Sequence, residues 1–221
     1  MIESCEKCLL PLERCICSHI KSIDTRLRIL VLQHPQEPGH ELGTAQITQL
    51  SLPKAQIRTG LSWANLKAAL GDSTAQPARW AVLYLGSGVK SETPDRSDAT
   101  LQFVSRKGSP VSAPPIHEID GLVVLDGTWS QAKSLWWRNA WLLKLKRAIL
   151  NPKEKSLYGK LRKEPRKECL STVESVAEAL IALGEPQQVS EQLKEIFKVL
   201  LAANTKKHPA KRNEENPQSQ N

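Results

Sequence analysis

From Thr25 onward the chain alternates compact apolar runs with stretches whose apolar residues recur every three or four positions. Leu27-Arg28-Ile29-Leu30-Val31-Leu32 is a β-branched and aliphatic run halted at His34-Pro35, which predicts a strand. Leu42–Leu50 reads as a short helix, Ala55–Arg58 as a second strand, and Trp63–Leu70 as a helix closed by Gly71. A third strand, Ala81–Leu85, leads into Gly86-Ser87-Gly88. Val89–His117 is polar and predicts a long loop with an edge strand embedded near Leu101–Val104. A strand at Leu122–Leu125, a helix from Trp129 to about Asn139 and a strand near Arg147–Leu150 follow. The chain closes with two amphipathic helices, one carrying Val173, Val176, Ala177, Leu180 and Ile181, the other Leu193, Ile196, Phe197, Leu200 and Leu201. From Thr205 the composition turns to Lys, Asn, Glu, Pro and Gln, which predicts disorder. Such alternation implies an α/β fold, a mostly parallel sheet with helices on both faces.

One junction stands out. The run Val123-Val124-Leu125-Asp126-Gly127-Thr128-Trp129-Ser130-Gln131 ends a strand on a carboxylate, turns at a glycine and enters a helix. Thr128 and Gln131 have capping-box spacing, so Asp126 is expected at a strand's carboxyl end beside a helix N-terminus. Ligands of open α/β sheets bind in that crevice. Asp126 is therefore a candidate base or ligand contact, against the simpler reading of a turn-closing Asx residue. Ser171 and Glu174 make a second capping box.

Charge changes the picture next. Lys and Arg outnumber Asp and Glu by 31 to 23 in 221 residues. Between Trp141 and Cys169, ten cations oppose three acids, which makes a polyanionic partner the natural expectation. Four of the six tryptophans (Trp129, Trp136, Trp137 and Trp141) lie within thirteen residues just before it. Helical spacing puts Leu135 and Trp136 on the Ala132 face and Trp137 beside Lys133. At least one tryptophan should then be exposed near a cation, suited to stacking on a base. His34 and His40 flank the loop after the first strand and read as exposed loop histidines.

Four of the five cysteines fall in the first seventeen residues as Cys5-x2-Cys8-x6-Cys15-x-Cys17. Four thiolates on so short a loop suit a tetrahedral structural zinc, since the metal stabilises a fold that twenty residues cannot hold alone. Cys169 stands apart and reads as a packing residue. No apolar window approaches membrane-spanning length, and Met1-Ile2-Glu3-Ser4-Cys5 lacks signal-peptide character, so a cytoplasmic protein is expected.

Several of these segments together resemble the DTW-domain family of tRNA-uridine aminocarboxypropyltransferases. The resemblance rests on Cys15-Ile16-Cys17, Leu32-Gln33-His34-Pro35-Gln36-Glu37, Leu42-Gly43-Thr44-Ala45 and the naming motif Asp126-Gly127-Thr128-Trp129 with Gln131-Ala132. Tyr158, Leu161-Arg162-Lys163, Pro165 and Ser171-Thr172-x-Glu174 complete it. After the third strand, where the family carries a proline, this chain has Leu85-Gly86-Ser87-Gly88.

The resemblance implies a SPOUT-like domain over residues 23–204, knotted near its C-terminus, between a 1–22 zinc knot and a 205–221 tail. It implies transfer of the 3-amino-3-carboxypropyl group of S-adenosylmethionine (SAM) to N3 of a tRNA uridine, expected at variable-loop position 47. Asp126, Thr128 and Trp129 take the catalytic positions in that scheme. Leu85, Gly86, Ser87, Gly127, Arg162, Ser171 and Thr172 take those against SAM, and Cys5, Cys8, Cys15 and Cys17 hold the metal. Two alternatives stand beside it: a SAM-dependent SPOUT-like RNA methyltransferase, and a non-catalytic zinc-containing RNA-binding module. A monomer and a homodimer both fit the sequence.

Overall fold

The structure is a computed structural model describing residues 3–40, 42–83, 100–152, 154–159 and 170–205. The expectations placed on Leu85-Gly86-Ser87-Gly88, Arg162-Lys163, Cys169 and the tail beyond Thr205 lie outside the described residues, as does much of the basic run. The elements are β1 (Arg28–Gln33), α1 (Ala45–Ser51), β2 (Ala55–Thr59), α2 (Leu66–Leu70), β3 (Trp80–Leu83) and β4 (Leu101–Val104). They continue with β5 (Gly121–Asp126), α3 (Trp129–Arg138), β6 (Lys146–Leu150), α4 (Thr172–Ala182) and α5 (Gln187–Thr205).

The six strands form one sheet in the order β2-β1-β5-β3-β6-β4, parallel throughout except for the edge strand β4, which runs antiparallel to β6. The central strands are buried on both sides, which explains why β1 and β5 read as unbroken apolar runs instead of alternating ones. Ile29 and Val31 of β1, with Leu122 and Val124 of β5, face a core completed by α4 and α5. Leu30, Leu32, Val123 and Leu125 face the opposite core, filled by Ala132 and Leu135 of α3, Leu66 and Ala69 of α2, and Trp141. Helices on both faces of a largely parallel sheet are what the sequence pattern predicts.

Boundaries moved where caps decided them. The helix expected from Trp63 starts at Leu66, because the Asn65 side chain accepts from the Ala68 N–H at 2.9 Å. Trp63 stays outside, its main-chain N–H donating to Asn139 Oδ1 at 2.9 Å. Asn139 ends α3 and is fully satisfied, its amide donating to the Leu61 and Leu135 carbonyls at 3.0 and 2.8 Å. A 3-10 turn over Ala140–Lys144, not foreseen in the sequence, then folds Trp141 and Leu142 into the core.

Gly121 and Trp80 are register partners on β5 and β3, and a Cβ on Gly121 would lie 2.6 Å from the indole. Trp80 is 1% exposed, with the Arg28 guanidinium over its ring, so it has little room to withdraw. Gly121→Ala is expected to cost about 2 kcal/mol of stability, read as a lower urea midpoint at unchanged m-value. Trp80→Leu in that background should recover part of the loss.

Candidate functional site

The inward period-2 rows of the sheet change character at its carboxyl edge. Ala55-Ile29-Leu122 and Ile57-Val31-Val124 are successive apolar rows across β2, β1 and β5. The next row in the same register is Thr59-Gln33-Asp126. Three polar residues thus stand side by side at the strand ends, where α/β sheets present their ligand crevice.

They are wired together. Thr59 Oγ1 donates to Gln33 Oε1 at 3.1 Å, and Gln33 Nε2 donates to Asp126 Oδ2 at 2.9 Å. The Thr172 hydroxyl, in the first turn of α4, donates to Asp126 Oδ1. Asp126 is 8% exposed, so each carboxylate oxygen needs such a donor to offset the water it has lost. Gln33 and Thr172 fix the plane of the carboxylate.

The turn beyond Asp126 is equally constrained. Gly127 has φ +154°, and a Cβ there would meet Gln131 Cβ at 2.9 Å. The expected capping box forms: Thr128 N–H donates to Gln131 Oε1 at 2.6 Å, and the Gln131 N–H donates to Thr128 Oγ1 at 3.4 Å. Gln131 also donates to Gln36 Oε1 at 3.1 Å, which ties the loop after β1 to α3. Thr128 is exposed and Trp129 half-buried at the start of α3.

The second capping box forms as well and does more than cap. Glu174 is 3% exposed and accepts from Ser171 N and Ser171 Oγ, at 2.9 and 2.6 Å. It also accepts from Ser156 Oγ and Leu157 N, both at 2.7 Å. Ser171 is buried, and its hydroxyl is engaged within the box on both sides. Thr44, the N-cap of α1, accepts from the Val173 N–H at 3.3 Å, and Tyr158 Oη donates to the Leu42 carbonyl at 2.9 Å. The structure therefore brings Asp126, Gly127, Thr128, Trp129, Ser171 and Thr172 to one edge. Sequence reasoning missed Gln33 as the partner of Asp126; the available signal was a polar residue on the apolar phase of β1.

The four N-terminal cysteines meet in space. Their sulfurs lie within 4.8 Å of one another, with Cys5–Cys17 at 3.7 Å and Cys8–Cys15 at 3.8 Å. Tetrahedral zinc with bonds of about 2.3 Å needs sulfurs about 3.8 Å apart, so the set fits that metal. The main-chain N–H groups of Cys8 and Lys7 pull the Cys5 thiol down to about 6, while burial pushes Cys17 up to about 12. A central dication would hold all four as thiolates. Leu9, at φ +61°, makes the tight turn after Cys8. The knot packs on the main core through Cys8, Leu10 and Ile16, and Gln46 of α1 donates to the Lys7 carbonyl at 2.8 Å. Cys8 and Gln33 border the same small cavity of about 30 Å³, so the knot abuts the loop that follows the site strand.

This is the carboxyl-edge crevice of an open α/β protein, built around one buried carboxylate and flanked by a cluster of four cysteines. The chain belongs to the DTW domain family, whose model matches residues 2–204. It is 28% identical over 195 residues to tRNA-uridine aminocarboxypropyltransferase 2 of Macaca fascicularis, covering 86% of this chain and 59% of that protein. The Drosophila melanogaster protein of the same name is 29% identical over 195 residues, with 86% and 70% coverage. The tRNA-uridine aminocarboxypropyltransferase A of Arabidopsis thaliana is 24% identical over 218 residues, with 91% and 81% coverage. The chain thus spans about three fifths of the macaque relative's length. No solved structure matches. Among the described residues no helix is long and apolar enough to cross a membrane.

The cysteine cluster and the second capping box each set expected outcomes. Elemental analysis should find one zinc per chain, and Cys8→Ser should abolish it. Chelation should lower Tm by roughly 10 °C, as expected for a ligand held about 1,000-fold above its Kd. Glu174→Ala, which leaves Ser156, Leu157 and Ser171 donors without their acceptor, should cost about 3 kcal/mol in denaturant unfolding.

Proposed function

We propose that this chain is a tRNA-uridine aminocarboxypropyltransferase with SAM as donor, forming 3-(3-amino-3-carboxypropyl)uridine and 5′-methylthioadenosine. The observation that carries the reading is the buried Asp126, fixed by Gln33 and Thr172, at the ligand edge of a DTW-family chain. The relatives of this family are named tRNA-uridine aminocarboxypropyltransferases, which supports the same class.

Uridine N3 bears a proton and is a poor nucleophile until it loses it, so a positioned carboxylate is the group the reaction needs. In this reading the N3 proton passes to Asp126 as the bond from N3 to the donor's γ-carbon forms. The carbon–sulfur bond breaks with its electron pair going to sulfur, and the sulfonium becomes a neutral thioether. Gln33 and Thr172 keep the accepting oxygen aimed without consuming its free lone pair. Trp129 walls or stacks on the uracil, and Gly127 lets the main chain approach the substrates. Thr128 sets the entry angle of α3. Arg162 or Lys163 holds the migrating group's carboxylate, with the α4 N-terminus at Ser171 and Thr172 as the alternative anchor. Leu85, Gly86 and Ser87 border the rest of SAM.

The division into a 1–22 knot, a 23–204 catalytic domain and a 205–221 tail belongs to the same proposal, as do the SPOUT-like knotted path, a structural zinc and a cytoplasmic location. Four cysteine ligands leave zinc no open position, so the metal would brace the fold while chemistry proceeds at Asp126.

Incubation with SAM and unmodified tRNA, followed by mass spectrometry of nucleosides and thioethers, tests the reaction. Aminocarboxypropyluridine with methylthioadenosine is expected, at position 47 of the variable loop. Methylated nucleoside with S-adenosylhomocysteine would reassign the chain to methyl transfer. Asp126→Asn should lower kcat at least 100-fold with SAM binding intact. Gln33→Ala should lower kcat about 10-fold, as expected for one lost orienting hydrogen bond. Near-normal turnover in Asp126→Asn would remove the general-base role.

A further inference from the structure

A second feature lies toward the β4–β6 edge of the sheet, away from Asp126. The chain after β4 turns at Ser105–Ser109, where the Ser105 N–H donates to the Ser109 carbonyl at 2.8 Å, and returns so that Val111 N–H donates to the Phe103 carbonyl at 2.9 Å. This loop and the 3-10 turn before β6 are the walls of an open groove of about 420 Å³. Arg106, Lys144, Lys146 and Arg147 line it, and no Asp or Glu does.

Two of the cations are held in place by the main chain. Arg147 Nη1 donates to the Arg106 carbonyl at 3.1 Å, and Lys146 Nζ donates to the Ala78 carbonyl. Arg106, Lys144 and Lys146 form no ion pair among the described residues, so their charge is not offset locally. Concave walls of one charge sign raise the local potential and draw polyanions. Phe103 and Leu145 make an apolar floor, and Val111 and Leu143 stay exposed at the mouth.

One groove cation also meets an aromatic ring of α3. The Arg147 guanidinium lies 5.4 Å from the Trp136 ring centre, and Trp137, next along α3, is 79% exposed. Exposed Arg138 follows Trp137, and exposed Lys133 lies one helical turn before it. Cations interleaved with an exposed indole are what sugar-phosphate strands and unstacked bases bind.

Register fixes the separation from the site. Lys146 pairs with Ala81, and Ala81 with Leu122, four residues before Asp126. That is about 13 Å along the strands and about 10 Å across two of them, too far for the phosphate of a uridine whose base sits at Asp126. A small anion would fill the groove without reaching the site; an RNA would span both.

We propose that this groove on the β4–β6 edge is a second RNA contact, gripping the sugar-phosphate backbone of the substrate tRNA away from the modified uridine. The inference rests on the tRNA reading above. Its test is direct binding of unmodified tRNA across a KCl series, comparing wild type with the double variant Arg106→Ala/Lys144→Ala, both exposed positions. The variant should bind about 10-fold more weakly at moderate salt, and its log Kd against log[KCl] slope should be smaller by about 1.5. Its Tm and SAM affinity should match wild type, and a short oligonucleotide around the target uridine should bind both proteins equally. Identical tRNA affinity and slope in the two proteins would overturn the groove alone. A wild-type chain with no tRNA binding would overturn the tRNA reading itself.

Discussion

Asp126 closes the central strand β5 with one oxygen bonded to Gln33 of β1 and the other to Thr172 of α4. A carboxylate this deeply buried is tolerated only with its lost hydration replaced, so those donors are required for the edge to exist as it does. Each has its own prerequisite. Gln33 is held by Thr59 and by the β1–β5 register, which a one-residue slip would destroy by turning Gln33 to the other face. Thr172 is held by the dock of α4, which Glu174 ties to the chain at Ser156 and Leu157.

The same dependence explains the shape of the surrounding core. Tyr158 packs edge-on against Phe197 of α5, with ring centroids 4.9 Å apart, while its hydroxyl reaches the Leu42 carbonyl. The segment before α1, the segment before α4 and the last helix are thereby clamped around one aromatic ring. The cysteine knot leans on this assembly from the side, with Arg14 donating to Asn204 of α5 at 2.8 Å. A metal there would stiffen the loop after β1.

Charge divides along the sheet. The carboxyl edge concentrates the hydrogen-bonded carboxylate and the two helix starts, whereas the β4–β6 edge concentrates cations in a groove without acids. The apolar rows between them supply the stiffness that keeps the two at a fixed distance.

Local rules were enough to read much of this from the sequence. The apolar runs marked the strands of the sheet, the capping-box spacings placed Thr128 and Ser171 at helix starts, and the cysteine spacing predicted four sulfurs that do converge. Each depends on residues close in sequence, so each is written locally. Asp126 was legible for the same reason, as a carboxylate between an apolar run and a cap. Its partners were not. Gln33 lies 93 residues away and Thr172 46, and only strand order and the docking of α4 bring them to it. Nor was the basic groove legible as a shape, since Arg106 and Lys144 meet only through the antiparallel pairing of β4 with β6. The sequence determined most of the elements and the positions of the two capping boxes and of the cysteine cluster. Tertiary structure decided which side chains complete the carboxylate's shell and where the charge is concave, because both depend on contacts between distant segments.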